Sequence, residues 1–269
     1  MCSSDLPIVH PGDDESAIAI TKAYVDYTSH RDGLLSSTLI ENPLAPMLRQ
    51  DDGQSVLGPG TDARISQVTP IGTVSTASEL LQLFDDPRPR NIRRAIKLGV
   101  SVVQDHSEEA FAFLIKTHSE NMETMGGLPK IPRFFELVRT ILEPKDWRLH
   151  LGYVDRKPVT ALLTLRHNKT VEYFTPVIQD EFRSTQALSY VIFTAMMESI
   201  EEGYTLWNWG GTWYSQRGVY DFKRKWGAVE RRYEYFTQIH DESVRVIAPE
   251  LRQNEFPYFY LYPFEMSKG

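Results

Sequence analysis

The stretch Tyr220-Asp221-Phe222-Lys223-Arg224-Lys225-Trp226-Gly227-Ala228 sets three cations between aromatic residues and ends at a glycine and an alanine. A strand-like segment, 204–211 (YTLWNWGG), precedes it, and a second, 231–239 (RRYEYFTQI), follows. Strand, short basic helix, glycine, strand is an order that holds a lysine at the end of a sheet. A lysine so placed can bind a phosphate or stabilise a growing oxyanion. Lys223 is therefore the first candidate. The competing reading is a solvated basic helix with its aromatic side turned to the core.

Other residues divide the same way. Gly210 and Gly211 either turn the chain or expose backbone at a strand end, a good position for a ligand. Trp207 and Trp209 share one strand face and read as core. Asp180 and Glu181 read as the acidic start of a helix, and Asp221 as a plain helical charge. Tyr173 is either a sheet residue with a satisfied hydroxyl or part of a site. No carboxylate reads as a general base, so the proton of any reaction is left to substrate or water. Arg88, Arg90, Arg93, Arg94 and Lys97 make the segment 89–99 strongly basic; a solvated face competes there with anion binding.

Composition bounds the partners. The formal net charge of −7 means that any nucleic-acid or phosphate contact must come from a local patch. The single cysteine cannot form an internal disulfide. No apolar run approaches the roughly 20 residues that span a bilayer, and no signal peptide is readable. A cytoplasmic protein is expected. The histidines are scattered without zinc-like spacing, so no metal is expected. Residues 1–6 (MCSSDL) match the peptide encoded by a common sequencing adapter. We expect the natural chain to extend upstream, with Cys2 foreign to it.

The positioning elements follow from periodicity and breakers. Residues 15–30 read as a helix with Ala17, Ile20, Tyr24 and Tyr27 inward. Residues 31–75 have loop and short-strand composition. Helices follow at 79–84, 89–99, 107–125 and 133–142, the last with Phe134, Leu137, Val138 and Ile141 inward, and a short strand at 100–103. Strands at 147–154, 158–167 and 170–177 have connections short enough for hairpins. A long helix at 184–202, a strand at 204–209, a helix at 215–226 and a strand at 231–239 complete the unit. This predicts an α+β layer, a mostly antiparallel sheet with helices packed on it. The tail 256–264 (FPYFYLYPF) is expected to pack on protein rather than on a membrane.

Taken in order, the basic helix 90–100, Phe134-Phe135, Glu172-Tyr173-Phe174, Trp207-Asn208-Trp209-Gly210-Gly211, Gly218 to Lys223 and Trp226-Gly227-Ala228 resemble the FemAB-type transferases, a branch of the Gcn5-related acetyltransferase (GNAT) superfamily. The resemblance covers about residues 60–240, and its closing motif is the specific part. It implies a GNAT-like fold with helices on both sheet faces. Residues 1–76 would be the remnant of a first GNAT-like domain, 77–240 a second and essentially complete one, and 241–269 an aromatic tail. It further implies transfer of an acyl or aminoacyl group, from aminoacyl-tRNA or an acyl thioester such as acyl-CoA, to an amine of a cell-envelope precursor. Lys223 and Tyr173 would be catalytic, with Phe222, Lys130, Gly210, Gly211 and Arg183 binding substrates. One departure stands out. The turn Glu181 to Ala187 has no glycine, which argues against close backbone approach to a coenzyme A pyrophosphate. The alternative function is a non-catalytic module that holds a phosphorylated glycan or an RNA end in the same basic groove. Oligomeric state is left open.

Overall fold

The computed structural model describes residues 4–5, 13–44, 62–247, 251 and 255. The aromatic tail 256–264 and the glycines at 53, 58 and 60 lie outside them. The chain divides into two units, Met1–Ser66 with Arg231–Gly269, and Gln67–Glu230.

In the first unit, strand β1 (Ser4–Asp5) pairs in parallel with β2 (Ser36–Ile40), and helix α1 spans Asp14–Ser29. Asp13 caps α1 by accepting from the Ser16 amide. The inward face of α1 carries Ala17, Thr21 and Thr28, whereas Ile20 and Tyr27 are exposed. The expected stripe was thus rotated. Thr28 can face inward because its hydroxyl donates to the Tyr24 carbonyl within the helix.

The second unit carries the candidate site. It takes in the end of β3 (Asp62–Pro70), then α2 (Ala77–Gln82), α3 (Arg88–Lys97), β4 (Ser101–Gln104), α4 (Glu108–Thr124) and α5 (Pro132–Ile141). The strands β5 (Trp147–Val154), β6 (Lys157–His167) and β7 (Thr170–Ile178) follow. The unit continues with α6 (Ala187–Glu201), β8 (Leu206–Thr212), α7 (Arg217–Arg224) and the first residues of β9 (Val229–Ile239). The second half of β9 pairs antiparallel with β2 in the first unit.

Local chemistry sets these boundaries. Thr76 and Glu79 form a reciprocal capping box at α2. Ser107 caps α4 through the Ala110 amide. Asp155 and Arg156, both at positive φ, make the two-residue turn between β5 and β6. Strand order in this unit is β3-β8-β7-β6-β5-β4. The pairs β4–β5, β5–β6 and β6–β7 are antiparallel, and β7–β8 is parallel.

Helices cover both faces. On one, α6 buries Val191, Ile192, Ala195 and Met196 with Leu162, Val171, Trp207, Trp209 and Trp226. On the other, Phe111 and Leu114 of α4 and Phe135 and Val138 of α5 pack with Leu149, Leu163 and Val177. Ile141, expected inward, is exposed at the end of α5. The expected α+β layer with helices on both faces is the observed one. The segment 31–75, read as loop-rich, contains the nine-residue strand β3, whose inner residues are polar as well as apolar and so hide the usual alternation.

Candidate active site

The parallel ladder of β7 and β8 is short. Its partners are Thr170 with Leu206, Val171 with Trp207 and Glu172 with Asn208. Both strands run on, β7 to Ile178 and β8 to Thr212, without further pairing to each other. The strands therefore part directly after Glu172 and Asn208. A β-bulge on the other side of β7, between Tyr173 and Thr175, also bends the strand here.

The sequence reading gave a strand at 204–209 within a strand-like segment 204–211. The structure carries the strand through Gly210 and Gly211 to Thr212. Gly210 has φ +72°, and a Cβ on it would stand 3.3 Å from Glu172 Oε1. Successive carbonyls of an extended strand point to opposite sides. A left-handed residue breaks that alternation, so the carbonyls of Gly210 and Gly211 converge on one point.

The side-chain ammonium of Lys223, from α7, occupies that point. Its Nζ donates to Gly210 O at 3.2 Å, Gly211 O at 3.0 Å and Thr212 Oγ1 at 2.8 Å. Lys223 is 6% exposed. An ammonium has three N–H donors, and all are engaged within the protein. Burial holds the Lys223 pKa down at about 8, against an upward pull from Glu172.

Glu172 is the carboxylate of the cluster. Its Oε2 accepts from Asn208 Nδ2 at 2.6 Å, while Asn208 Oδ1 accepts from the Gly210 amide at 3.0 Å. Burial raises the Glu172 pKa to about 7, partly opposed by the Asn208 hydrogen bond and by the charge of Lys223. An acid and a base that both titrate near neutrality thus sit where two strands separate. Groups that titrate near neutrality are suited to proton transfer.

Tyr173 is placed differently. Its ring packs at 4.8 Å from Trp209 and 6.4 Å from Trp207. Burial raises its pKa, and Arg88 lowers it in turn. It shares no hydrogen bond with Lys223. Phe222 joins the same aromatic group, 6.1 Å from Trp209 and 6.4 Å from Trp226. Thr69 ties the group together: its hydroxyl accepts from Trp209 Nε1 and donates to Trp226 O, both at 2.9 Å.

Lys130 lies between α4 and α5. Its backbone N–H donates to His118 Nε2 at 3.0 Å, and its ammonium stands 4.8 Å from the Phe174 ring centre. Burial lowers the Lys130 pKa. Burial, then the Lys130 charge, hold His118 at about 4, so it accepts as the neutral ring. Arg183 is not brought to the cluster. It is half exposed and paired with Asp180 at 2.5 Å in the turn before α6.

The amides that open α6 are largely engaged. Ala187 N donates to Thr185 Oγ1, and Ser189 N and Tyr190 N donate to Gln186 O. Gln186 takes the left-handed conformation in place of a glycine, at φ 60°. Little free backbone is left there to cradle a pyrophosphate.

The structure therefore joins Lys223, Gly210 and Gly211 by hydrogen bonds, groups Phe222 with Tyr173 through Trp209, and separates Arg183. Sequence reasoning missed Glu172, Asn208 and Arg88. Glu172 and Asn208 were visible only as neighbours of recognisable aromatics. Arg88 was hidden among exposed arginines.

No curated protein matches the chain. The chain superposes on the crystal structure of FemX with a TM-score of 0.67 at 15% identity, over 89% of this chain and 81% of that one. It also superposes on L-PGS from Bacillus licheniformis with a TM-score of 0.55 at 12% identity, over 86% and 76% of the two chains. A tandem GNAT protein from the clavulanic acid biosynthesis pathway gives 0.50 at 12% identity, over 87% and 73%. At these identities the likeness is one of fold. In sequence, the profile of the acetyltransferase (GNAT) domain matches residues 88–224, just over half of the chain and the whole span from Arg88 through Glu172 to Lys223. The chain belongs to the acetyltransferase (GNAT) domain family, and its activity is acyl transfer.

Proposed function

We propose that this protein moves an acyl or aminoacyl group from an activated ester or thioester donor to the amine of a cell-envelope precursor. The observation that carries the reading is Gly210 where β7 and β8 part: Lys223 donates to its carbonyl, and a Cβ on it would stand 3.3 Å from Glu172 Oε1. Aminolysis of an activated carbonyl needs a neutral amine and a stabilised tetrahedral oxyanion. Glu172, with a pKa of about 7, is matched to take the proton from the attacking ammonium. Lys223 supplies positive charge and fixes the backbone of β8. It reaches a substrate oxygen by exchanging Thr212 Oγ1, the one side-chain acceptor among its three.

The engaged amides at α6 favour a donor other than coenzyme A, and aminoacyl-tRNA is the donor we propose. Lys130, half buried and without an ion pair among the described residues, is assigned to an anionic part of the acceptor. The reading places the reaction in the cytoplasm, where charged tRNA is made. The likeness to FemX in fold supports an envelope precursor as acceptor without identifying it.

Incubation with charged tRNA, acyl thioesters and envelope precursors, read by mass spectrometry, tests this. Transfer that is lost in Glu172→Gln is expected. Tight binding of a precursor with no turnover from any donor would instead favour a non-catalytic module.

A further inference from the structure

Arg88 opens α3 beside the aromatic group. Its Nη2 donates to Phe222 O at 3.3 Å. The guanidinium carbon stands 4.3 Å from the Phe222 ring centre and 5.2 Å from that of Trp226. Its Nε is buried without a hydrogen-bond partner. Asp85, a close acid in sequence, is committed to Arg224 at 2.8 Å. Among the described residues Arg88 has no ion pair.

A guanidinium keeps its charge in a protein, and a partly buried charge without a counter-ion is costly. The neighbouring acid is taken by Arg224, and Arg88 has no carboxylate partner among the described residues. Arg88 thus presents its positive charge on a planar fork that lies against two aromatic rings. That shape accepts a singly charged oxyanion with two oxygens in one plane.

We propose that Arg88 is an oxyanion-recognition site beside Phe222 and Trp226, taking a carboxylate or phosphodiester group of the substrate. The proposal rests on the acyl-transfer reading only in naming the ligand a substrate.

The full chain, labelled with 15N, gives a direct test through the Arg88 Nε–H resonance, assigned by its loss in Arg88→Lys. N-acetylglycine stands for a carboxylate ligand, dimethyl phosphate for a phosphodiester, and N-acetylglycinamide is the uncharged control. We expect a saturable shift of that resonance with one or both anions and none with the amide; the tighter anion identifies the group. Arg88→Lys keeps the charge but loses the fork, and should weaken the binding at least about tenfold, followed on backbone resonances of β7 and α7. An Arg88 signal that neither anion moves, or equal binding by Arg88→Lys, overturns the proposal. The transfer assay separates the two readings. An unmoved Arg88 signal in an active protein removes only the oxyanion site, and a saturating shift in an inactive one removes only acyl transfer.

Discussion

Lys223 holds Gly210. The ammonium of one closes on the carbonyl of the other at 3.2 Å, and the left-handed turn at Gly210 brings the Gly211 carbonyl to the same nitrogen at 3.0 Å. A helix side chain thus fixes the strand end that faces Glu172. Removing Lys223 should loosen the site before any substrate enters it. In Lys223→Met we expect a loss of roughly 2 kcal/mol, because two carbonyls and a hydroxyl lose their donor. Relief of the buried charge offsets part of this. Turnover should fall by about 100-fold or more. Urea denaturation and initial transfer rates measure the two. Unchanged rates would remove the lysine from the mechanism.

The rate should be bell-shaped in pH. Transfer requires ionised Glu172, with a pKa of about 7, and protonated Lys223, with a pKa of about 8. Activity rises as the carboxyl loses its proton and falls as the ammonium loses its own, with a narrow optimum between. The limbs belong to the coupled pair rather than to either residue alone. A flat profile from pH 6 to pH 9 would contradict the pairing.

Glu172 also links stability to pH. Its folded pKa lies above the ordinary 4.5, so the folded state holds the proton more tightly than the unfolded one. This contribution is fully present below about pH 4.5 and is lost as pH rises through about 7. Glu172→Gln should remove that part of the decline. Unfolding free energies of both proteins, measured across the window, test the sign.

Asn208→Ala should move the acid limb upward. The amide hydrogen bond favours the ionised carboxylate, and without it burial acts with less opposition. The pH–rate profile of the variant is the measurement. A limb displaced downward would exclude Asn208 as the group that tunes Glu172.

Thr69→Val keeps the volume but removes both hydrogen bonds of the hydroxyl. The indole N–H of Trp209 is then buried without an acceptor, at a cost of about 2 kcal/mol. Thermal or urea unfolding checks this, with near-UV circular dichroism following the indole environment.

The sequence by itself determined most of the elements, though not β3, whose buried residues are polar as well as apolar. The meander was readable because Asp155-Arg156-Lys157 and His167-Asn168-Lys169 are short enough for hairpins, and both hairpins form. Periodicity placed Trp207 and Trp209 inward, and both are buried. Lys223 stood out because a basic residue between aromatics, stopped by a glycine, has few uses. Tertiary structure alone decided which groups meet. The register of a parallel pair is set by packing on both faces of the sheet, not by a turn, so nothing local brings Glu172 opposite Asn208. Nor does local sequence reveal that Gly210 bends inside a strand rather than after it, or that Arg88 leaves its exposed neighbours to lie on Phe222. Those contacts join residues far apart along the chain, and only the folded sheet makes them neighbours.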